Sequence, residues 1–208
     1  MLIFDKILIE IDHAVNTLLI KQQADRKSPD QDLIENNLSS QERKRVIGLL
    51  RVNHCGEICA QALYYSQALI TDNPADKRQL VEAGAEEKDH LVWLNNRLLT
   101  LNAKPSKLDP LFYAYSFVIG LLVGSFGRKW NFAFIYETEQ QVVAHLRKHI
   151  ILLPKQDLKS LVILQQMIVD EEKHSIMALK LGNHTIPPFY AKLMQTVAKF
   201  MTKTTYYL

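Results

Sequence analysis

Two short runs in this chain repeat one chemical spacing. Glu87 is followed three residues later by His90 in EEKDH (86–90), and Glu171 by His174 in DEEKHS (170–175). On a helix turning 100° per residue, three positions bring side chains back to within about 60° of each other. Each pair therefore offers a carboxylate and an imidazole on one side of a helix, a donor set suited to a hard or borderline divalent cation. One such pair arises readily by chance, so the weight of the reading rests on what else shares those faces.

The same wheel places Leu80, Ala83, Leu91, Leu94 and Leu98 within about 40° of Glu87. Glu87 points inward, whereas Glu86 and Lys88 fall about 100° to either side and, with Asp89, read as solvated charge. Leu164, Met167, Ile168, Ser175 and Ala178 surround Glu171 in the same way. Two single glutamates behave alike: Leu50, Asn53, Tyr64 and Ala68 flank Glu57, and Phe132, Ile135, Val143, Leu146 and Ile150 flank Glu139. Glu137 falls about 160° from Glu139, toward solvent.

Four inward carboxylates are costly unless matched by cations, and no Lys or Arg shares these inner faces. In an antiparallel hairpin, residues equidistant from the turn stand level. The midpoint of 57 and 87 is 72, within TDNP, and that of 139 and 171 is 155, within LPKQ. Each hairpin thus sets a lone Glu beside a Glu-x-x-His pair, and the chain does so twice. Two such pairs and two single glutamates on four helices form the ligand set of a carboxylate-bridged di-iron or di-manganese centre. Four carboxylates also neutralise two divalent ions, and oxygen ligands with one imidazole per metal suit iron or manganese better than zinc or copper(I). The candidate metal residues are Glu57, Glu87, His90, Glu139, Glu171 and His174. His54 and Asp170 are candidates for accepting or donating hydrogen bonds behind the ligating imidazoles, and His54 reads equally as a hydrogen-bonded core histidine. His13, His145, His149 and His184 show no ligand pattern.

The elements that must position these groups are all helical. Seven Gly and seven Pro among 208 residues favour long helices, and no segment alternates with period two long enough for a strand. An amphipathic helix over 2–22 carries Ile3, Ile7, Ile11, Val15 and Leu18 at helical spacing, and a polar linker follows to residue 40. Ser39 and Glu42 offer a capping box for a helix to about residue 70. Asn73-Pro74 open a helix to about 102. Further helices are predicted over 129–152 and 157–181, the latter stopping at Gly182 as C-cap, and a last one begins at Pro187-Pro188. The expectation is one domain over 1–208, with a four-helix bundle over 41–181, an apolar insertion at 110–127 and a C-terminal helix over 187–208.

That insertion, LFYAYSFVIGLLVGSFG (111–127), has 17 residues where a spanning helix needs roughly 20. It reads as a buried, re-entrant or interfacial segment. Together with the amphipathic first helix and the lysine-bearing last one (Lys192, Lys199, Lys203), it predicts contact with a membrane surface. The net charge of +3 is spread without a basic block, which argues against nucleic acid. The only cysteines, Cys55 and Cys59, suit neither a disulfide framework nor a thiolate metal site, and are read as small packed residues in a reducing compartment. The opening MLIFDKILIEIDHAV interleaves acids with apolar residues and lacks a signal-peptide core. The expected location is the cytosol or its membrane face.

RVNHCGEICAQALY (51–64), EEKDHLVW (86–93), DPLFYAYSF (109–117), ETEQQVVAHL (137–146), DEEKHSIMAL (170–179) and the ending MTKTTYYL together resemble the Coq7 family of demethoxyubiquinol hydroxylases in its bacterial form. The resemblance covers essentially the whole chain and departs at no ligand position. It implies a ferritin-like bundle holding two iron ions, with Glu87 and Glu171 as bridges. It further implies an enzyme that uses O2 to hydroxylate a polyprenyl benzoquinol in ubiquinone synthesis, and that sits peripherally on the membrane. A ferritin-like iron-storage or peroxide-scavenging protein is the rival reading, and it predicts a polar outer surface. The first 40 residues carry no motif of the family.

Overall fold

The structure, a computed structural model, describes residues 3–19 and 23–208. Seven helices follow in order: α1 Ile3–Leu18, α2 Ser40–Ile70, α3 Pro74–Thr100, α4 Asp109–Ser125, α5 Arg128–Leu152, α6 Leu158–Gly182 and α7 Pro188–Tyr207. No strand occurs among the described residues. Residues 2 and 20–22 of the predicted first helix, and the side chains of Ile3 and Ile7 on its stripe, lie outside those described.

The helix ends follow local chemistry. Ser39 and Glu42 form a reciprocal capping box at α2, Asn73 Oδ1 accepts from the amides of Ala75 and Asp76, and Asp157 caps α6 through Ser160 N. Gly182 does not act as the predicted C-cap. It is the last residue of α6, and Asn183 takes the left-handed turn at φ 44°. The reason is steric: a Cβ on Gly182 would stand 2.8 Å from Phe132 Cβ, so the small residue is spent on helix contact.

α2–α3 and α5–α6 are the two antiparallel hairpins, and they pack as a four-helix bundle. Its interior is layered. One apolar cluster gathers Val46, Leu50, Leu94, Leu98, Leu146, Leu164 and Met167. A second gathers Tyr64, Ala68, Leu80, Ala83, Phe132, Ile135 and Ala178. On every one of the four helices the inward glutamate lies between its contributions to these two clusters. Apolar packing above and below forces a polar layer to stay dry, at a height that all four helices reach together.

α4 crosses from the first hairpin to the second along α2. Its faces divide by side-chain size. Ser116, Gly120 and Gly124 are spaced by four and meet α2, where a Cβ on Gly120 would stand 3.1 Å from Leu63 O and would collide with Ser66 Oγ. Close backbone approach requires glycine there. The opposite face presents Leu111, Tyr115, Val118, Leu122 and Phe126 to the outside. α1 seats Ala14, Thr17 and Leu18 on the bundle while Leu8, Ile11, Val15 and Leu19 face away, and α7 exposes Phe189, Leu193 and Phe200. No helix among the described residues is long and apolar enough to cross a membrane.

Candidate metal centre

All six residues singled out by spacing are buried and meet in the polar layer. Their donor atoms fall into two overlapping groups, Glu57, Glu87, His90 and Glu171, and Glu87, Glu139, Glu171 and His174, with donors in each group lying within 4.8 Å of one another. Glu87 and Glu171 belong to both. Glu57 and His90 complete one half, Glu139 and His174 the other, so each half draws on both hairpins.

The imidazoles are aimed alike. His90 Nδ1 stands 3.3 Å from Glu57, 3.0 Å from Glu87 and 3.2 Å from Glu171. His174 Nδ1 stands 3.1 Å from Glu87 and 3.1 Å from Glu171. A single N–H cannot satisfy three carboxylate oxygens, and Glu87 Oε1 and Glu171 Oε1, though 3.1 and 3.2 Å from these nitrogens, take no well-formed hydrogen bond among the described residues. Buried acceptors converging on one spot, with lone-pair nitrogens beside them, fit a cation rather than a proton.

Behind each ring a carboxylate accepts from Nε2, and the arrangement is reciprocal. His90, on the first hairpin, reaches Asp170 of the second at 3.1 Å; His174, on the second, reaches Glu86 of the first at 3.0 Å. Such outer contacts fix ring orientation and leave Nδ1 facing the inner carboxylates. Asp170 and Glu86 each directly precede a shared glutamate. Tyr64 supplies a further support by donating to Glu139 at 2.5 Å.

Electrostatics in the metal-free chain follow from burial without water. Burial pushes Glu57 and Glu139 well above the ordinary carboxylate range. Burial acts on Glu87 in the same direction, but its contacts with His174 and His90 outweigh it and hold the group below that range. Burial also opposes charging His90 and His174. The carboxylates around them win, chiefly Asp170 and Glu171 for His90 and Glu171 for His174, and both imidazoles are raised well above their usual value. Without a metal the pocket thus favours the charged form of both rings, and a cation bound at Nδ1 would have to displace a proton.

Several expectations need correction. Asp89 is 3% exposed rather than solvated, because the linker folds over α3 and supplies Asp25 N at 2.7 Å and Arg26 Nε at 2.7 Å. Glu86, also expected in solvent, is half-exposed but engaged with His174. Lys88 pairs with Asp25 at 2.6 Å. Glu137 is half-buried and accepts from Gln141, which also reaches Ala191 O on α7. His54 stands apart from the metal residues and pairs with Asp109 at 3.1 Å, because α2 is covered on that side by α4. Asp170 does lie behind an imidazole, as expected. His13 stacks on Tyr65 and His184 meets Trp130 edge-on, while the rings of His145 and His149 touch at a tilt. Cys55 and Cys59 are free, packed with Phe112 and Met201. Arg26 and Tyr64 are the supports that spacing alone missed. Tyr64 was on the wheel beside Glu57 and carried the signal of a buried hydroxyl needing a partner; Arg26 carried none.

A family model described as "Ubiquinone biosynthesis protein COQ7" matches residues 44–205. Proteins named 3-demethoxyubiquinol 3-hydroxylase are similar along nearly the whole chain. The one from Legionella pneumophila (strain Paris) is 44% identical over 98% of this chain and 97% of its own. Those of Laribacter hongkongensis and Nitrosomonas europaea are 44% and 43% identical over 98% and 100% of this chain and 99% and 100% of their own. Among solved structures, the dodecameric thioferritin of Bacteroides fragilis, a bacterioferritin-related protein, superposes with a TM-score of 0.54 at 17% identity, over 74% of this chain and 90% of that one. That likeness establishes a ferritin-like fold.

Proposed function

The chain belongs to the COQ7 family of ubiquinone biosynthesis proteins, and from that premise we propose that it is a di-iron monooxygenase that hydroxylates the ring of a demethoxy-polyprenyl-benzoquinol with O2. The observation that carries this reading is the pair of overlapping donor groups sharing Glu87 and Glu171, in a chain 44% identical to proteins named for that reaction. Glu87 and Glu171, common to both donor groups, would be shared between two iron ions, with Glu57 and His90 holding one and Glu139 and His174 the other. Bound ferrous iron supplies the electrons that activate dioxygen.

The protein's own contribution is placement. Asp170 and Glu86 hold the two rings, so neither imidazole can turn its inner nitrogen away. Tyr64 limits the swing of Glu139. A narrow cleft between α2 and α5 runs against that carboxylate, lined by Ala60, Leu63, Tyr64, Ile135 and Thr138. The two clusters of packed side chains exclude water above and below, which keeps the electrons from being spent on side reactions.

A polyprenyl tail leaves lipid at a cost of about 0.8 kcal/mol per CH2. The outward faces of α1, α4 and α7 therefore act as the docking surface of a peripheral membrane enzyme, with the lysines of α7 toward anionic headgroups. These apolar faces also count against iron storage, which calls for a polar exterior. Anaerobic loading with ferrous iron, metal analysis, and oxygen-dependent turnover of a demethoxy-quinol followed by mass spectrometry test the reading. Two irons per chain and a product heavier by one oxygen atom are expected; fewer than two irons, or oxygen consumption without ring hydroxylation, would overturn it.

A further inference from the structure

The two halves of the centre are alike in their inner residues and unlike in what stands behind them. Glu86, behind His174, has a side chain 48% exposed and, among the described residues, pairs directly with that imidazole while feeling Arg26 only at longer range. Asp170, behind His90, is fully buried and is gripped from outside. Arg26 Nη1 donates to Asp170 Oδ2 at 2.7 Å, the oxygen that also faces His90 Nε2 at 3.1 Å. The same guanidinium donates through Nε to Asp89 Oδ2 at 2.7 Å, so it spans α3 and α6. It cannot drift, because its plane lies over Trp93, 4.9 Å from the ring, and its own carbonyl accepts from Trp93 Nε1 at 3.4 Å. Asp25 N is bonded to Asp89, and further along the linker Glu35 meets Arg97 and Asn36 meets Gln156 O. The linker is thus a strap across the α3–α6 seam, and Arg26 lies outside the span that the family model matches.

Two buried aspartates on neighbouring helices repel unless a shared cation lies between them. Arginine suits the task, since its planar fork can engage two carboxylates while its face stacks on an indole, and lysine can do only one of these. Lys173 and Gln166 also reach Asp170, but from α6 itself and without a link to α3.

We propose that Arg26 is a positioning residue of the metal centre: by fixing Asp170 it locks the His90 ring and makes the Glu57/His90 half hold its ion more firmly than the Glu139/His174 half. This rests on the di-iron reading given above. The full-length protein and its variants are loaded anaerobically with 57Fe(II), competed with a chelator, and read by Mössbauer spectroscopy, with no turnover involved. Wild type should show two ions released at distinct chelator concentrations. Arg26→Met should weaken one of them about tenfold, and the surviving doublet should match the one that survives in His90→Ala. Arg26→Lys should recover part of that loss. Asn36→Ala, which removes a strap contact away from Asp170, should change neither ion. Equal weakening of both ions, or unchanged release, in an Arg26→Met protein of wild-type helicity would overturn the proposal, as would loss of the same ion in Asn36→Ala. A wild-type protein that binds no iron at all would instead defeat the di-iron reading.

Discussion

His149 gives the clearest quantitative handle on this fold. It is 6% exposed on α5, its Nδ1 has no hydrogen-bond partner among the described residues, and its ring lies 3.9 Å from that of His145. Burial, reinforced by His145, lowers its pKa to about 3. An unfolded chain binds the same proton near 6.5. Above the unfolded value both states are neutral there, and the group adds nothing to pH dependence. As pH falls below about 6.5 the unfolded chain gains a proton that the folded chain refuses, so stability declines by up to about 1.4 kcal/mol per unit until the folded pKa is reached. Between pH 7 and 4 the loss from this one residue comes to about 3 kcal/mol. His149→Leu removes it. Urea unfolding of the metal-free protein and of the variant, measured at half-unit intervals, should show curves that coincide or favour the variant at pH 7 and diverge by about that amount at pH 4. Parallel curves would refute the burial argument, because every other titrating group is common to both proteins.

Tyr64→Phe should leave the fold intact, cost roughly 1 kcal/mol in unfolding, and speed chelator release of the ion beside Glu139 several-fold; release at the wild-type rate would show the 2.5 Å contact to be idle. Gly120→Ala should cost about 1–3 kcal/mol by overpacking α4 on α2, and Ser66→Gly should restore part of it, since Ser66 Oγ is the nearest atom met. Val118→Asp with Leu122→Asp, both on the outward face of α4, should cut cosedimentation with anionic vesicles about tenfold or more while leaving Tm within a degree or two. Unchanged vesicle binding would remove α4 from the proposed docking surface.

The six central residues were legible because helical periodicity and turn position are both local signals. Each glutamate had apolar neighbours at 3.6-residue spacing, and hairpin midpoints fixed relative height without any knowledge of packing. Glu86 shows where that logic stops. Taken alone it sits 100° off the apolar stripe, and only the arrival of His174 from the other hairpin gives it a partner. The duplication offered a signal nonetheless, since Asp170 precedes Glu171 as Glu86 precedes Glu87. Arg26 offered no such signal: its partners are 63 and 144 residues away, and a polar linker has no period to read. For His54, which proves to be the hydrogen-bonded core histidine, the wheel could not choose between its two readings. A wheel assumes one inner face, but α2 is covered on two sides, by the bundle and by α4. On α4 itself nearly every residue is apolar, so hydropathy could not say which face is packed; the spacing of Ser116, Gly120 and Gly124 does.

The crossed support of the imidazoles bears on what half of this chain amounts to. Each hairpin carries the ring that the other hairpin's acid must hold, and each donor group takes three residues from one hairpin and a single glutamate from the other. A lone helix pair with these motifs would be incomplete twice over, with an unheld ring and an unserved acid. Two copies facing each other about a two-fold axis would cure both defects at once. The geometry is that of a symmetric dimer written into one polypeptide, and the strap at Arg26 marks where the two sides have ceased to be equivalent.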